Sequence, residues 1–320
     1  MHVKSFRELR LANPDDVKEY PKAILRIRQR HTQIPELFAE ALRRIDGDNV
    51  SEPQHGEPQC EGGYSLDSSD LPPGGLRTCD RKHLEEWAER FLRSRVSTEM
   101  LMAHYIACTR QWEAAGGHEG KVGIIDPQCD PWEIVQQAIA EVEDGPFPCL
   151  IEAENCSGPL HFCHSPRYLY YIMTELLRNS TKATRDLLER EGSADLAARP
   201  VRVSLCADES VVVIRISDRA GGMPSHIGKE MWSYTFPKSD AASPSGMGHP
   251  FLSSVCEVPE LEQKQNSPWG VFAGETPLGG RGIGLKLSRL YAIFTGGSLQ
   301  VINMPGLGVD SYLFLHRIDA

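Results

Sequence analysis

Apolar positions recur at helical spacing in three stretches of the chain and at strand spacing in several short ones. Between Asp15 and Ile45, residues Ile24, Ile27, Ile34, Leu37, Phe38, Ala41, Leu42 and Ile45 predict one or two helices, with Pro35 at a helix start. Arg81 to Glu113 carries Leu84, Trp87, Phe91, Leu92, Val96, Met100, Leu101, His104 and Tyr105, long enough for one helix or a broken pair. Between these runs, Gly47 to Cys79 is Gly, Pro, Ser, Glu and Gln, which cannot bury enough surface to offset its ordering entropy; a mobile loop over 47–79 is expected. The first third therefore predicts a helical bundle over about 1–118.

Three glycines in Ala114–Gly120 mark the boundary to a second domain, expected over 119–320. Pro131 to Glu143 has helical periodicity, and Cys149–Glu154 and Leu160–Cys163 look like short strands. Val201–Cys206 and Val211–Ser217 predict a strand pair around a turn at Ala207–Ser210. From Met223 to Gly279 the chain turns to Ser, Pro, Gly and Lys, the composition of a long lid-type loop. A helix is expected from Gly279–Leu285 to Ala292, stopped by Gly296 and Gly297, and then a hairpin of Ser298–Asn303 and Val309–His316 around Pro305-Gly306. This order predicts an α+β sandwich with helices on one face of a mixed sheet.

In the helix over Leu169–Glu189, Tyr171, Glu175, Arg178, Asn179, Lys182 and Asp186 fall on one arc, with Met173, Leu176, Leu177, Ala183 and Leu187 on the other. The helix is thus expected to bury an apolar half and present a carboxylate, a carboxamide and two cations in a row. Alone, such a row reads as a solvated face. Its meaning changes beside two glycine clusters, Asp218-Arg-Ala-Gly-Gly-Met223 and Gly279-Gly-Arg-Gly-Ile-Gly-Leu285.

Composition narrows the partners. A formal charge of −10 over 320 residues argues against a grip on nucleic acid by broad phosphate neutralisation. No run approaches the roughly 18 apolar residues of a spanning helix. The nine cysteines include no Cys-x-x-Cys pair, which fits a reducing compartment and unpaired, buried thiols. Cys149, Cys156, His161, Cys163 and His164 cluster, yet their spacing fits a strand and turn better than a zinc site. The start, Met-His-Val-Lys-Ser-Phe-Arg-Glu, has neither an apolar signal core nor a long Arg/Ser-rich leader.

A nucleotide's phosphates need backbone amides at close range with a helix N-terminus behind them, and Gly280, Gly282 and Gly284 just before a helix supply both. No Walker lysine follows and a lid rather than a strand precedes, so the P-loop and dinucleotide-fold readings fail their context. Asn179 offers an oxygen ligand for Mg²⁺, and Glu175 a carboxylate to receive a proton. The combination points to a nucleotide site of another architecture.

Glu175-Leu-Leu-Arg-Asn-Ser-Thr-Lys-Ala-Thr184, Ile216-Ser-Asp-Arg-Ala-Gly-Gly-Met223 and Gly280-Arg-Gly-Ile-Gly-Leu285 with Ser288-Arg-Leu-Tyr-Ala292 resemble the three nucleotide boxes of the mitochondrial 2-oxo-acid dehydrogenase kinases. The resemblance extends to Arg28–Pro35, Phe91–Val96, Met100–Tyr105, Gly297–Gln300 and Gly308–Leu313, most of the chain from about Ile24. These pyruvate and branched-chain dehydrogenase kinases are serine kinases on the ATP-binding fold of histidine kinases. By resemblance Glu175 is the general base and Asn179 the Mg²⁺ ligand. Asp218 accepts from the adenine amino group, Gly222 lets the base pack, and the loop Gly280, Arg281, Gly282, Ile283, Gly284 and Leu285 holds the phosphates. Arg178 and Lys182 keep positive charge near them.

The same resemblance implies ATP, Mg²⁺ and a monovalent cation such as K⁺ as cofactors, and the E1 subunit and lipoyl-bearing E2 core of such a complex as partners. It further implies a homodimer in the mitochondrial matrix. Ala220, Tyr171 and Val309 depart from the family's usual Gly, His and Thr, and Pro237-Lys238 replace a hydroxyl pair. Those departures motivate two alternatives: a nucleotide-binding scaffold without transfer, and a histidine-kinase-type phosphotransferase using His104. The ending His316-Arg-Ile-Asp319 looks closer to the branched-chain type.

Overall fold

The computed structural model describes residues 16–31, 38, 78–113, 121–193, 195, 197–225, 228, 231–234 and 284–317. The expected loop from Gly47, the boundary glycines 114–120, most of the expected lid and the glycines 279–282 lie outside the described residues.

Helix α1 is Asp16–His31 and α2 is Thr78–Glu113, a single helix of 36 residues. The expected loop therefore ends earlier than Cys79, because Thr78 and Cys79 already belong to α2. Ile24 and Ile27 of α1 pack on Met102 and Ile106 of α2. A buried ion pair pins the two helices together, Arg28 Nε donating to Glu99 Oε1 at 2.8 Å. Burial pushes the Glu99 carboxyl upward against the opposing pull of Arg28, so the pair registers the helices at a desolvation cost. Trp87 and Leu101, expected on the apolar face of α2, stand exposed.

Next come β1 (Asp126–Cys129), α3 (Pro131–Glu143), β2 (Ile151–Asn155), β3 (Phe162–His164) and α4 (Pro166–Glu191). The short strand β1, which pairs antiparallel with β3, has no counterpart in the sequence reading. Its four residues, Asp-Pro-Gln-Cys, carry too little apolar alternation to register as a strand. Asp130 caps α3 by accepting from the Trp132 and Glu133 amides, with Pro131 at the first helical position. Gly192, left-handed at φ 65°, closes α4.

Strands β4 (Val201–Ala207) and β5 (Val211–Ser217) form the expected antiparallel pair; α5 (Gly284–Phe294), β6 (Ser298–Met304) and β7 (Gly308–His316) follow. The five-stranded sheet runs β2-β4-β5-β7-β6, with β2 parallel to β4 and the other pairs antiparallel. The fold is thus α+β on a mixed sheet, as expected. Val201, Val203, Leu205, Val212, Ile214, Ile216, Leu313 and Leu315 alternate onto the helix side and share one core with Leu169, Ile172, Met173, Leu176 and Leu177 of α4 and Leu287 and Leu290 of α5. Ala88, Leu92 and Val96 of α2 enter the same core. The helical segment is therefore packed onto the sheet domain rather than standing apart from it.

Candidate functional site

Helix α4 departs from its sequence reading in a way that defines the site. Its hidden side toward the C-terminus is Ser180, Thr181, Thr184 and Leu188, whereas Ala183 and Leu187 are only half-buried. Glu175 is not presented to solvent but buried, at 4% exposure. Apolar periodicity could not report this, because small hydroxyl side chains and a carboxylate occupy positions that neighbours on α5 and β5 cover.

What covers Glu175 is the start of α5. The α-carbon of Gly284 abuts the carboxylate, leaving no room there for a β-carbon. Asn179, one turn further along α4, is exposed, so a buried carboxylate and an open carboxamide follow one another toward the same helix end. Leu285 is half-buried against the core, and Lys286 is buried with its ammonium over the Tyr234 ring. Gly280, Arg281, Gly282 and Ile283 lie outside the described residues.

Asp218 ends β5 and is buried. Its Oδ1 accepts from the Ala220 and Val309 amides, each at 3.1 Å. Burial pushes the carboxyl above its ordinary value, and the hydrogen bonds from these amides and the Ser180 hydroxyl offset it only in part. Ser180 lies on α4, so one helix holds Glu175, Asn179 and a contact to Asp218. Ser180 stands within the Glu175–Thr184 motif, and nothing local in the sequence singles its hydroxyl out.

The first glycine cluster is laced into the β6–β7 turn. Gly221 N donates to Leu307 O at 3.1 Å, and Gly306 N to Gly221 O at 2.7 Å. Gly221 and Gly222 take left-handed φ values of 83° and 66°. A β-carbon on Gly222 would stand 2.5 Å from Met304 O, so glycine is required there by the hairpin backbone itself. Asn303, missed in the sequence, locks the same corner: its side chain accepts from Met223 N at 2.7 Å and donates to Met223 O at 2.8 Å. Ala220 fits without a special conformation, since its amide completes the Asp218 turn and the left-handed positions fall on the two glycines after it. Val309 serves through its amide, which any residue but proline would supply.

A second buried carboxylate, Asp310, supports this corner from β7. It accepts from Ser217 Oγ at 2.6 Å, Arg215 at 2.7 Å and Arg219 at 3.1 Å. Burial raises its carboxyl, but those donors outweigh it and hold the group below the usual carboxylate range.

Arg178 and Lys182 are placed elsewhere. Arg178 pairs with Glu141 of α3 at 2.6 Å, and the Lys182 ammonium stands 5.9 Å from the centre of the Phe147 ring. His104 is half-buried, with Nδ1 accepting from the Ile124 amide at 3.4 Å. Its ring also lies where a β-carbon on Gly123 would stand, so it packs the turn that follows α2. Among the described residues no group of three or more His, Cys, Asp or Glu side chains could hold a metal ion. The thiols are mixed in exposure: Cys129 and Cys149 are buried, whereas Cys156 and Cys206 are exposed.

A family model described as mitochondrial branched-chain alpha-ketoacid dehydrogenase kinase matches residues 1–126. The mitochondrial pyruvate dehydrogenase (acetyl-transferring) kinase isozyme 4 of Mus musculus is 27% identical over 257 residues, spanning 75% of this chain and 53% of the relative. The mitochondrial pyruvate dehydrogenase (acetyl-transferring) kinase of Schizosaccharomyces pombe is 29% identical over 244 residues, 73% of this chain and 51% of the relative. That of Drosophila melanogaster is 24% identical over 340 residues, 99% of this chain and 68% of the relative. The chain thus spans about half the length of the mouse and yeast relatives. The likeness thus runs from a branched-chain model over the first 126 residues to pyruvate-type enzymes over most of the chain, and both point to the mitochondrial 2-oxo-acid dehydrogenase kinases as what this chain is similar to.

Proposed function

We propose that the chain is an ATP-dependent protein serine kinase that phosphorylates, and thereby inactivates, the E1 component of a mitochondrial 2-oxo-acid dehydrogenase complex. The observation that carries this reading is the burial of the Glu175 carboxylate against Gly284, at the start of the helix that the second glycine cluster opens. A carboxylate buried at that point suits a base held next to a phosphate-binding helix end.

In this reading Glu175 takes the proton of the substrate serine as its oxygen attacks the γ-phosphorus and ADP departs. Asp218, fixed by the Ala220 and Val309 amides, accepts from the adenine amino group, and Gly222 lets the β6–β7 hairpin close against that corner. Gly280, Gly282 and Gly284 offer amides to the phosphates. Asn179 is the oxygen donor for Mg²⁺; one exposed carboxamide with phosphate and water oxygens suits that ion, which seldom uses an all-protein cage. When bound, Mg²⁺ neutralises charge on the phosphates; the residues supply positioning, the main requirement of phosphoryl transfer. Arg178 and Lys182 contribute positive charge at longer range, and K⁺ is the companion monovalent cation.

The histidine-kinase-like fold belongs to residues 119–320, and the helical segment over 1–118 serves docking and dimerisation. The working form is a homodimer in the mitochondrial matrix, engaged with E1 and with the lipoyl-bearing E2 core. Incubating the chain with labelled ATP and each purified E1, pyruvate-type and branched-chain-type, tests the reading. Acid-stable phosphoserine on one E1 is expected, lost in Glu175→Gln with ATP binding retained and accompanied by weakened Mg·ATP binding in Asn179→Ala. Nucleotide binding with transfer to neither E1 would overturn it in favour of a scaffold.

A further inference from the structure

Strands β2 and β4 run parallel at the edge of the sheet, and their rungs put Glu152 opposite Arg202, Glu154 opposite Ser204 and Asn155 opposite Leu205. Directly opposed residues in parallel strands point to the same face, as the Arg202–Glu152 ion pair at 2.9 Å shows here. One residue further the pairing continues past the end of β2. Cys156 N donates to Leu205 O at 2.9 Å, and Ala207 N donates to Ser157 Oγ at 2.5 Å. These two bonds bracket Cys206, so Cys156 sits opposite it. The turn behind Cys156 is fixed as well, Asn155 Nδ2 donating to Gly158 O at 2.9 Å and Asn155 Oδ1 accepting from Ser157 N at 3.0 Å.

Both thiols are free, both are exposed, and they are in hydrogen-bond contact. Neighbouring strands lie roughly 4.8 Å apart, inside the range of about 4.4–6.8 Å between α-carbons that a disulfide spans. Two free thiols of this exposure on adjacent rungs do not serve core packing. The hydrogen bond to Cys206 pushes the Cys156 thiol above its ordinary value.

We propose that Cys156 and Cys206 form a reversible dithiol–disulfide site that a peroxide oxidises. The Cys206 thiolate attacks one peroxide oxygen; an S–O bond forms, the O–O bond breaks, and the leaving hydroxide takes a proton to become water. Cys156 sulfur then attacks the sulfenic sulfur; the S–S bond forms, the S–O bond breaks, and the departing hydroxide takes the Cys156 proton. Two thiols and one hydrogen peroxide give one disulfide and two waters. The link closes a loop of about fifty residues that includes all of α4, so it restrains the unfolded chain around the helix that carries Glu175. This site does not depend on the kinase reading.

The test treats the whole chain with hydrogen peroxide and maps its peptides without reduction, beside thermal melting before and after dithiothreitol. The expected result is one peptide joining Cys156 to Cys206, a higher melting temperature, and loss of both on reduction. Cys156→Ser and Cys206→Ser, each at an exposed position, should fold and lack both the link and the shift. The proposal is overturned if both thiols remain open to alkylation, if Cys206 is oxidised singly to a sulfinic acid, if either cysteine links elsewhere, or if a serine variant keeps the shift.

Discussion

The carboxylate of Glu175 rests on the α-carbon of Gly284, so that the space usually left for a side chain at the start of α5 is filled by an acid from α4. Because the intruding atom is the end of a flexible side chain, Gly284→Ala should fold, at a cost of about 1–3 kcal/mol, while pushing the carboxylate aside. A displacement on the order of 1 Å is enough to cost roughly 100-fold in transfer. Phosphorylation of E1 should therefore fall about 100-fold while the variant still folds, with a melting temperature lowered by only a few degrees. Unchanged turnover would separate Glu175 from the chemistry.

Gly221 and Gly222 share a left-handed backbone but not their surroundings. At Gly221 an added β-carbon meets open space, whereas at Gly222 it meets the Met304 carbonyl. Gly221→Ala should cost only backbone strain, about 1–2 kcal/mol. Gly222→Ala should cost that and more, since the obstacle is backbone and cannot swing away. Denaturant melts of the two variants compare them directly; equal losses would refute the role given to the β6–β7 turn.

Asp310 and Asp218 should act on stability with opposite signs of pH dependence. Asp310 is held below its unfolded value near 3.9, so its contribution is present above about pH 4 and is lost as pH falls through the lower folded value. Asp310→Asn should lower stability by about 2 kcal/mol at pH 7 and flatten the acid limb of a plot of melting temperature against pH. The raised carboxyl of Asp218 favours the folded state only while protonated, and that favour is lost as pH rises through its folded value. Asp218→Asn should thus be tolerated or stabilising at pH 7 while weakening nucleotide binding, a pattern that differential melting with and without ATP would read.

Tyr234 is tied to α2 across the domain. Its amide donates to Glu85 Oε2 at 2.7 Å, the Ser233 hydroxyl to Glu85 Oε1 and the Tyr234 hydroxyl to Glu89. From behind, Arg289 stacks on Trp232 at 4.8 Å. Glu85→Ala should speed hydrogen exchange at the Tyr234 amide by roughly tenfold, about 1.4 kcal/mol, with little effect at α3. Exchange that stays slow would show that the helical segment does not hold this stretch.

Much was legible in the sequence because it depends on local spacing. Alternation in Val201–Cys206 and Val211–Ser217, the helical spacing of Pro131–Glu143, and the glycines Gly296 and Gly297 after α5 all act within a few residues, and each element formed where its pattern lay. The order of the three motifs was equally plain, and with it the resemblance to the 2-oxo-acid dehydrogenase kinases. What needed the tertiary structure were relations between distant residues. Whether Glu175 faces water or Gly284, 109 positions away, is decided by how α4 and α5 cross on the sheet, and no helical wheel contains that angle. Arg178, expected to keep positive charge near the phosphates, pairs with Glu141 on α3, a partner no local pattern could name. Gly222 is required by the carbonyl of Met304, Asp218 is fixed by the amide of Val309, and Cys156 meets Cys206 only because β2 and β4 lie side by side. The sequence by itself determined which segments become helices and strands, since that choice is local; chain crossing alone decided which polar groups are buried together, because burial and hydrogen-bond partnership are properties of surfaces that meet only after folding.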